Sequence, residues 1–396
     1  MLKPLFKRPT IHFSGLLFSK AISTFVFILL ARLFGPQMFG EFIFYITLLT
    51  IFTVFFDFGL NQWYQKTAEG QPPTVIFQKV LSARLITLLL AVLIALFVLV
   101  RWTNFSSFYI AIFLITLIPE SFVSVVDGYF LETKRPLKIS LKTSIKMFIV
   151  LVGYAVFHKA FSVPQAIVWL LFGSIVSFAA VFPWTTLKKF KIARLTESIK
   201  ILRQSAAYAF LIITSYAYAR GDSIIIQYRL NSLALGLYGA AYRYLESLSL
   251  FPSALGQNLF SHAAKKNGIT FLQLKNIVII MMLFGVLVSI TVFSLSHLLI
   301  IYILGVKYSA AVPVLQIFAA VLLLFFINSP LSTVVQSSRF IKNFLPFGIS
   351  NTILNILLNI AIVPIYGIQG AAWVMFTTEV TGLLINLYFI KKIYSV

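Results

Sequence analysis

Lys20, Arg220 and Arg243 stand inside long apolar stretches of this sequence, where an ammonium or guanidinium group is costly and marks a functional position. Lys20 has His12, Leu16, Ser19, Ser23 and Thr24 as helical neighbours, a polar stripe along one face. Tyr216, Arg220, Ser223 and Gln227 share a second stripe, and Arg243, Glu246, Ser253 and Gln257 a third. Cations beside hydroxyls and amides within an apolar run can meet an anionic ligand or pair with embedded carboxylates. The structural alternatives are that Lys20 snorkels to headgroups and that Arg243 pairs with Glu246 at i,i+3. Carboxylates are embedded as well: Glu120, which shares a helix face with Ser124 and Asp127, and also Glu246 and Glu379. A carboxylate held away from water can exchange a proton or take a small cation, so these three glutamates are candidates for coupling to a proton or sodium gradient; fixed pairing with an Arg or Lys is the competing reading. Asp57 and Asp127 fall near helix ends and read as interfacial.

Catalytic chemistry has little to build on. With no Cys there is no disulfide, thiolate nucleophile or Cys-ligated metal. The four histidines, His12, His158, His262 and His297, are scattered, and neither a His-Glu-x-x-His pair nor a phosphate-cradling Gly-rich loop with Lys occurs, so no cofactor is expected.

The elements that carry these residues follow from composition. With 396 residues, 60% hydrophobic and 11% charged, and a mean hydropathy of +0.97, the chain cannot surround one aqueous core; it reads as an all-α integral membrane protein. Apolar runs bounded by turn or charge signals give twelve spans, near 11–33, 38–60, 80–100, 105–130, 142–158, 164–187, 205–228, 236–260, 276–298, 311–335, 344–364 and 367–390. Pro119, Pro252 and Pro330 fall within spans and permit bends, while Asn351, Asn355 and Asn359 draw a polar line along the eleventh.

With the N-terminus in the cytoplasm, 24 of the 32 Lys and Arg fall in inner segments, five outside and three within spans. This bias, not a nucleic-acid partner, explains the net charge of +22. The longest hydrophilic connection, 188–204, alternates basic residues with Phe190, Ile192, Leu195, Ile199 and Leu202, the pattern of a short amphipathic helix on anionic lipid. It divides the chain into a six-helix lobe over 1–187 and another over 205–396. The halves look related: Arg32-Leu33-Phe34-Gly35 through Phe42 is echoed by Arg229-Leu230-Asn231 through Gly236-Leu237-Tyr238. Six spans per half place the repeats in the same orientation, a pseudo-two-fold pair of lobes around a central cleft.

Four blocks carry a resemblance to a known family. They are Ala31-Arg32-Leu33-Phe34-Gly35-Pro36 through Gly40-Glu41-Phe42 to Asp57-Phe58-Gly59-Leu60-Asn61; Asp222 through Gly236-Leu237-Tyr238-Gly239-Ala240-Ala241-Tyr242-Arg243 to Pro252-Ser253-Ala254-Leu255; Gly305-Val306-Lys307-Tyr308-Ser309-Ala310-Ala311-Val312-Pro313; and Leu357-Leu358-Asn359 with Pro364-Ile365-Tyr366-Gly367-Ile368-Gln369-Gly370. With these the sequence resembles the polysaccharide repeat-unit flippases of the multidrug/oligosaccharidyl-lipid/polysaccharide exporter superfamily. It departs from them at Ser261, where the family usually has Pro.

The resemblance implies a non-enzymatic, multi-pass transporter of the cytoplasmic membrane. It would move an undecaprenyl-diphosphate-linked oligosaccharide to the outer leaflet by alternating access, for O-antigen, capsule or similar surface polysaccharides, beside polysaccharide-assembly proteins. Lys20, Ser23, Tyr216, Arg220, Arg243 and Gln257 are then the expected substrate contacts, with Lys20 toward the inner side and both arginines in the outer half of the bilayer. A drug or cation antiporter, or a peptidoglycan-precursor flippase, of the same superfamily is the nearer alternative. The former would favour an acidic cleft, and the latter carries an extra helix pair. A membrane glycosyltransferase or glycan ligase would need a large external or metal-binding loop, and the external connections are short. Both termini are expected in the cytoplasm. Reporter fusions after Val396 and within 188–204 should both read as cytoplasmic, and an external signal from either would overturn the twelve-span topology.

Overall fold

The computed structural model describes residues 10–67, 72–103, 105–133, 135, 137–157, 161–184, 193–253, 259 and 269–395. Among them there is no strand. The helices are α1 (Thr10–Asp57), α2 (Leu60–Thr67), α3 (Pro73–Trp102), α4 (Ser107–Glu132), α5 (Leu137–Phe157), α6 (Val163–Val181), α7 (Leu195–Arg229), α8 (Ser232–Leu248), α9 (Phe271–Ser294), α10 (Val312–Ser337) and α11 (Ile341–Tyr394), with a π turn at Leu298–Tyr302 and a 3-10 turn at Val306–Ala311 before α10. Among the described residues eight helices, each broken helix counted once, are long and apolar enough to cross a membrane.

Two of the longest helices are broken where the sequence places span boundaries. Gly35 adopts φ 69° inside α1 and Gly367 φ 62° inside α11, a left-handed backbone that glycine enters without a Cβ penalty. Each break has a nearby proline, Pro36 or Pro364, which withdraws a helix hydrogen bond. Helix starts are locally encoded: the Asn231 side chain accepts from the Ala234 N–H at 2.8 Å to open α8. Thr270 and Gln273 form a reciprocal capping box at α9.

Several boundaries differ from expectation. α3 begins at Pro73 and α5 at Leu137, earlier than the spans at 80 and 142, so Lys79 and Lys138 stand inside helices. Residues 195–204, expected in a separate amphipathic helix, are the first turns of α7, because neither Pro nor Gly interrupts the chain before Gly221. Leu195 and Ile199 are exposed there. Residues 188–192 of that segment lie outside the described residues.

The described residues cluster into two compact units: 10–13, 27–44 and 217–395 in one, 14–26 and 45–216 in the other. The second is centred on Leu60, Tyr64, Phe77, Val80, Phe130 and Ile201. In the first, the stretch after Gly35 packs directly on α8. A Cβ added to Gly40 would lie 1.7 Å from the Ser232 carbonyl oxygen, and one added to Gly236 would lie 1.9 Å from that of Pro36. These helices therefore meet backbone to backbone, which only paired small residues allow. Beside them the Tyr308 hydroxyl donates to the Ala31 carbonyl at 2.7 Å. The two segments in contact are the pair whose sequences echo each other. Gly236→Val should leave no room for this crossing and lower the folded, monodisperse fraction extracted from membranes by about tenfold or more, measured by fluorescence-detected size exclusion.

Candidate functional site

The first unit brings Arg220 on α7 together with Arg243 and Glu246 on α8. Arg220 donates to Glu246 Oε1 at 3.1 Å and Arg243 to Oε2 at 2.7 Å, so one carboxylate bridges both guanidinium groups. Arg243, 8% exposed, also lies over the Phe27 ring at 3.4 Å, and Arg220 faces the Tyr242 ring at 5.3 Å. The expected i,i+3 pair is thus present, extended by an interhelical partner. Asp222 is turned elsewhere: it accepts from the Tyr238 hydroxyl and from the Ser223 N–H. Tyr238 is fully buried.

Glu379 on α11 sits in a different setting. It accepts from the Tyr218 hydroxyl at 2.6 Å and from Asn328 Nδ2 at 2.9 Å; among the described residues it has no Lys or Arg partner. Its carboxylate borders a cavity of ≈ 560 Å³ lined by Ser249, Pro252, Ser253, Phe325, Asn328, Ser329, Ser332, Thr333, Gln336 and Glu379. The polar residues of α10 in this wall recur at helical spacing, and Pro330 stands between them within the helix. Ser329 reaches across to donate to the Pro252 carbonyl at 2.7 Å. The asparagine line is consumed by helix packing: Asn351 and Asn355 donate to Thr378, and Asn359 to the Asn355 carbonyl.

In the second unit the acids are paired. Glu120 accepts from Lys146 at 2.8 Å and from Ser174, and Asp127 from Lys142 at 2.6 Å. Their shared face of α4 therefore looks toward α5 and α6. Asp57, expected at an interface, is buried against Arg84 at 2.8 Å and also accepts from Asn61 at 2.6 Å. Arg84 is wholly inaccessible. The sequence signal for this pair was present, since Arg84 interrupts the apolar run from Val80 to Leu90, but counting it among the inner-segment cations hid its depth.

Of the expected substrate contacts, Arg220 and Arg243 come together. Lys20 is half-buried, Ser23 buried and Tyr216 exposed; all three belong to the other unit. Gln257 lies outside the described residues. Among those residues no group of three or more His, Asp or Glu side chains could hold a metal. The polar wall of α10 escaped sequence reading because Ser, Thr and Gln carry no charge to draw attention in an apolar run.

Solved structures share this architecture. A lipid II flippase MurJ in an inward closed conformation superposes with a TM-score of 0.78 at 16% identity, covering 96% of this chain and 87% of the other. An inward-facing multidrug resistance MATE transporter of the MOP superfamily gives 0.69 at 12%, covering 96% and 95%. A MOP superfamily transporter from Pyrococcus furiosus, described as having a binding pocket of reversed polarity, gives 0.58 at 13%, covering 98% and 97%. A comparison with curated protein sequences finds no match. The apolar helices define a multi-pass membrane protein, and its fold is the one these transporters share. Residues 5–260 match the sequence pattern of the polysaccharide biosynthesis protein family, and the chain belongs to that family.

The buried Asp57–Arg84 pair gives a stability test. Asp57→Asn leaves Arg84 without its carboxylate and should cost about 3–5 kcal/mol, read as a drop in thermal midpoint in detergent. The double variant Asp57→Asn, Arg84→Met should recover most of that loss.

Proposed function

We propose that this chain is a flippase that carries an undecaprenyl-diphosphate-linked oligosaccharide repeat unit from the cytoplasmic to the outer leaflet of the cytoplasmic membrane, by alternating access of two six-span lobes. The carrying observation is the pair of arginines on one carboxylate. Each guanidinium has five N–H donors in a planar fork, while Glu246 accepts one from each. Diphosphate oxygens match that fork geometry and can compete for it. Lys20 and Ser23 contribute at an inner station and Tyr216 along the path; the polyprenyl tail stays in hydrocarbon. Membership of a polysaccharide biosynthesis family and the likeness in fold to a lipid II flippase support this reading. Both termini face the cytoplasm, and polysaccharide-assembly proteins supply and withdraw the substrate.

The three glutamates divide in their suitability for coupling. Glu120 and Glu246 are held by Lys146 and by two arginines, and neutralising either would strand a cation. Glu379 has hydroxyl and amide donors and borders a cavity. It can change charge without breaking an ion pair among the described residues, which makes it the proposed proton- or sodium-coupling group.

Two measurements test this. In vesicles loaded with lipid-linked oligosaccharide, Arg220→Gln with Arg243→Gln should reduce flipping by about a hundredfold at equal protein abundance, as expected when two charge-assisted contacts are lost; wild-type flipping by this variant would overturn the assignment. Glu379→Gln should abolish the acceleration produced by an imposed proton or sodium gradient, while Glu120→Gln should act mainly by lowering abundance. If wild-type flipping is indifferent to both gradients, no coupling role survives.

A further inference from the structure

The cavity beside Glu379 has a hydrogen-bonding sign. Four of its five hydroxyls spend their protons on the protein: Ser249 donates to the Glu246 carbonyl, Ser253 to Ser249, Ser329 to Pro252 and Thr333 to Ser329, at 2.7–3.0 Å, while the fifth, Ser332, accepts from Gln336 Nε2 at 2.8 Å. Asn328 likewise turns its amide N–H groups to Glu379. What these groups can still offer is acceptor capacity, since a hydroxyl that has donated keeps its lone pairs and a carboxylate accepts at about four sites. Among the described residues no Lys or Arg lines this wall, and Glu379 makes it acidic. Pro252 lines it, and Pro330 stands beside it within α10.

An acceptor-rich, acidic cavity favours a ligand that presents donors and rejects one that presents anions. Its volume of ≈ 560 Å³ falls within the roughly 300–1,000 Å³ of small-molecule sites and is far larger than a single ion requires. We infer that this cavity is the subsite for an uncharged sugar of the lipid-linked glycan, bound through pyranose hydroxyls or an acetamido N–H, and that it discriminates against acidic sugars such as uronic acids. The inference rests on the flippase reading and deepens it: the arginine pair takes the diphosphate, and the α10 wall sets which sugar is admitted.

The test uses the full-length protein in nanodiscs and three short-chain probes: farnesyl diphosphate, farnesyl diphosphate carrying N-acetylglucosamine, and the same lipid carrying glucuronic acid. Dissociation constants come from displacement of radiolabelled farnesyl diphosphate. The N-acetylglucosamine lipid should bind about tenfold tighter than the bare diphosphate, the worth of one or two well-made hydrogen bonds, and the glucuronic acid lipid no tighter than the bare one. Thr333→Val with Gln336→Leu should shrink the gain conferred by the sugar to within about twofold of none. Equal binding of all three probes by the wild type overturns the subsite and leaves the diphosphate site standing. Glucuronic acid matching N-acetylglucosamine overturns the assignment to uncharged sugars. Failure of the wild type to bind farnesyl diphosphate at all overturns the flippase reading and the subsite with it.

Discussion

Hydrocarbon accepts no hydrogen bonds and solvates no ions, so each polar group that enters it must find its partner within the protein. In this chain the embedded charges are held in ion pairs, most of them across helices. Asp57 meets Arg84, Glu120 meets Lys146, Asp127 meets Lys142, and Glu246 meets both Arg220 and Arg243. Each pair costs desolvation and returns it only while both members are present, so these contacts act more as constraints on helix register than as sources of net stability. By contrast, Lys79 and Glu197 pair while about two-fifths exposed, and such a contact is worth little.

The same constraint explains where irregular backbone is tolerated. Gly35 and Gly367 interrupt long helices beside prolines. Pro252 and Pro330 lie in or next to a polar wall where hydroxyls take up nearby carbonyls. A freed carbonyl in contact with lipid would be expensive, whereas one facing a polar cavity has partners at hand.

Charge pairing also sorts the candidate site. A carboxylate locked to a cation is poor at exchanging a proton, because each protonation strands a buried positive charge. Glu379, supported by Tyr218 and Asn328, escapes that penalty. The arginine pair has the opposite character: two planar forks share one acid.

Composition and hydropathy by themselves determined that this is a helical membrane protein, and glycine–proline pairs marked two of its helix breaks, because the demand for about 20 apolar residues per crossing is written locally. The Gly35 and Gly236 motifs likewise marked related segments, and Arg220, Arg243 and Glu379 were visible as charges in apolar runs. Only tertiary structure decided that Gly40 and Gly236 touch, that residues 27–44 group with the second half of the chain, and that Arg84 belongs to Asp57. It alone gathered Ser329, Thr333 and Gln336 with Glu379 around one cavity. These are partnerships between residues far apart in sequence. A serine facing lipid and a serine facing a polar cavity read alike along the chain; which neighbour stands opposite decides between them.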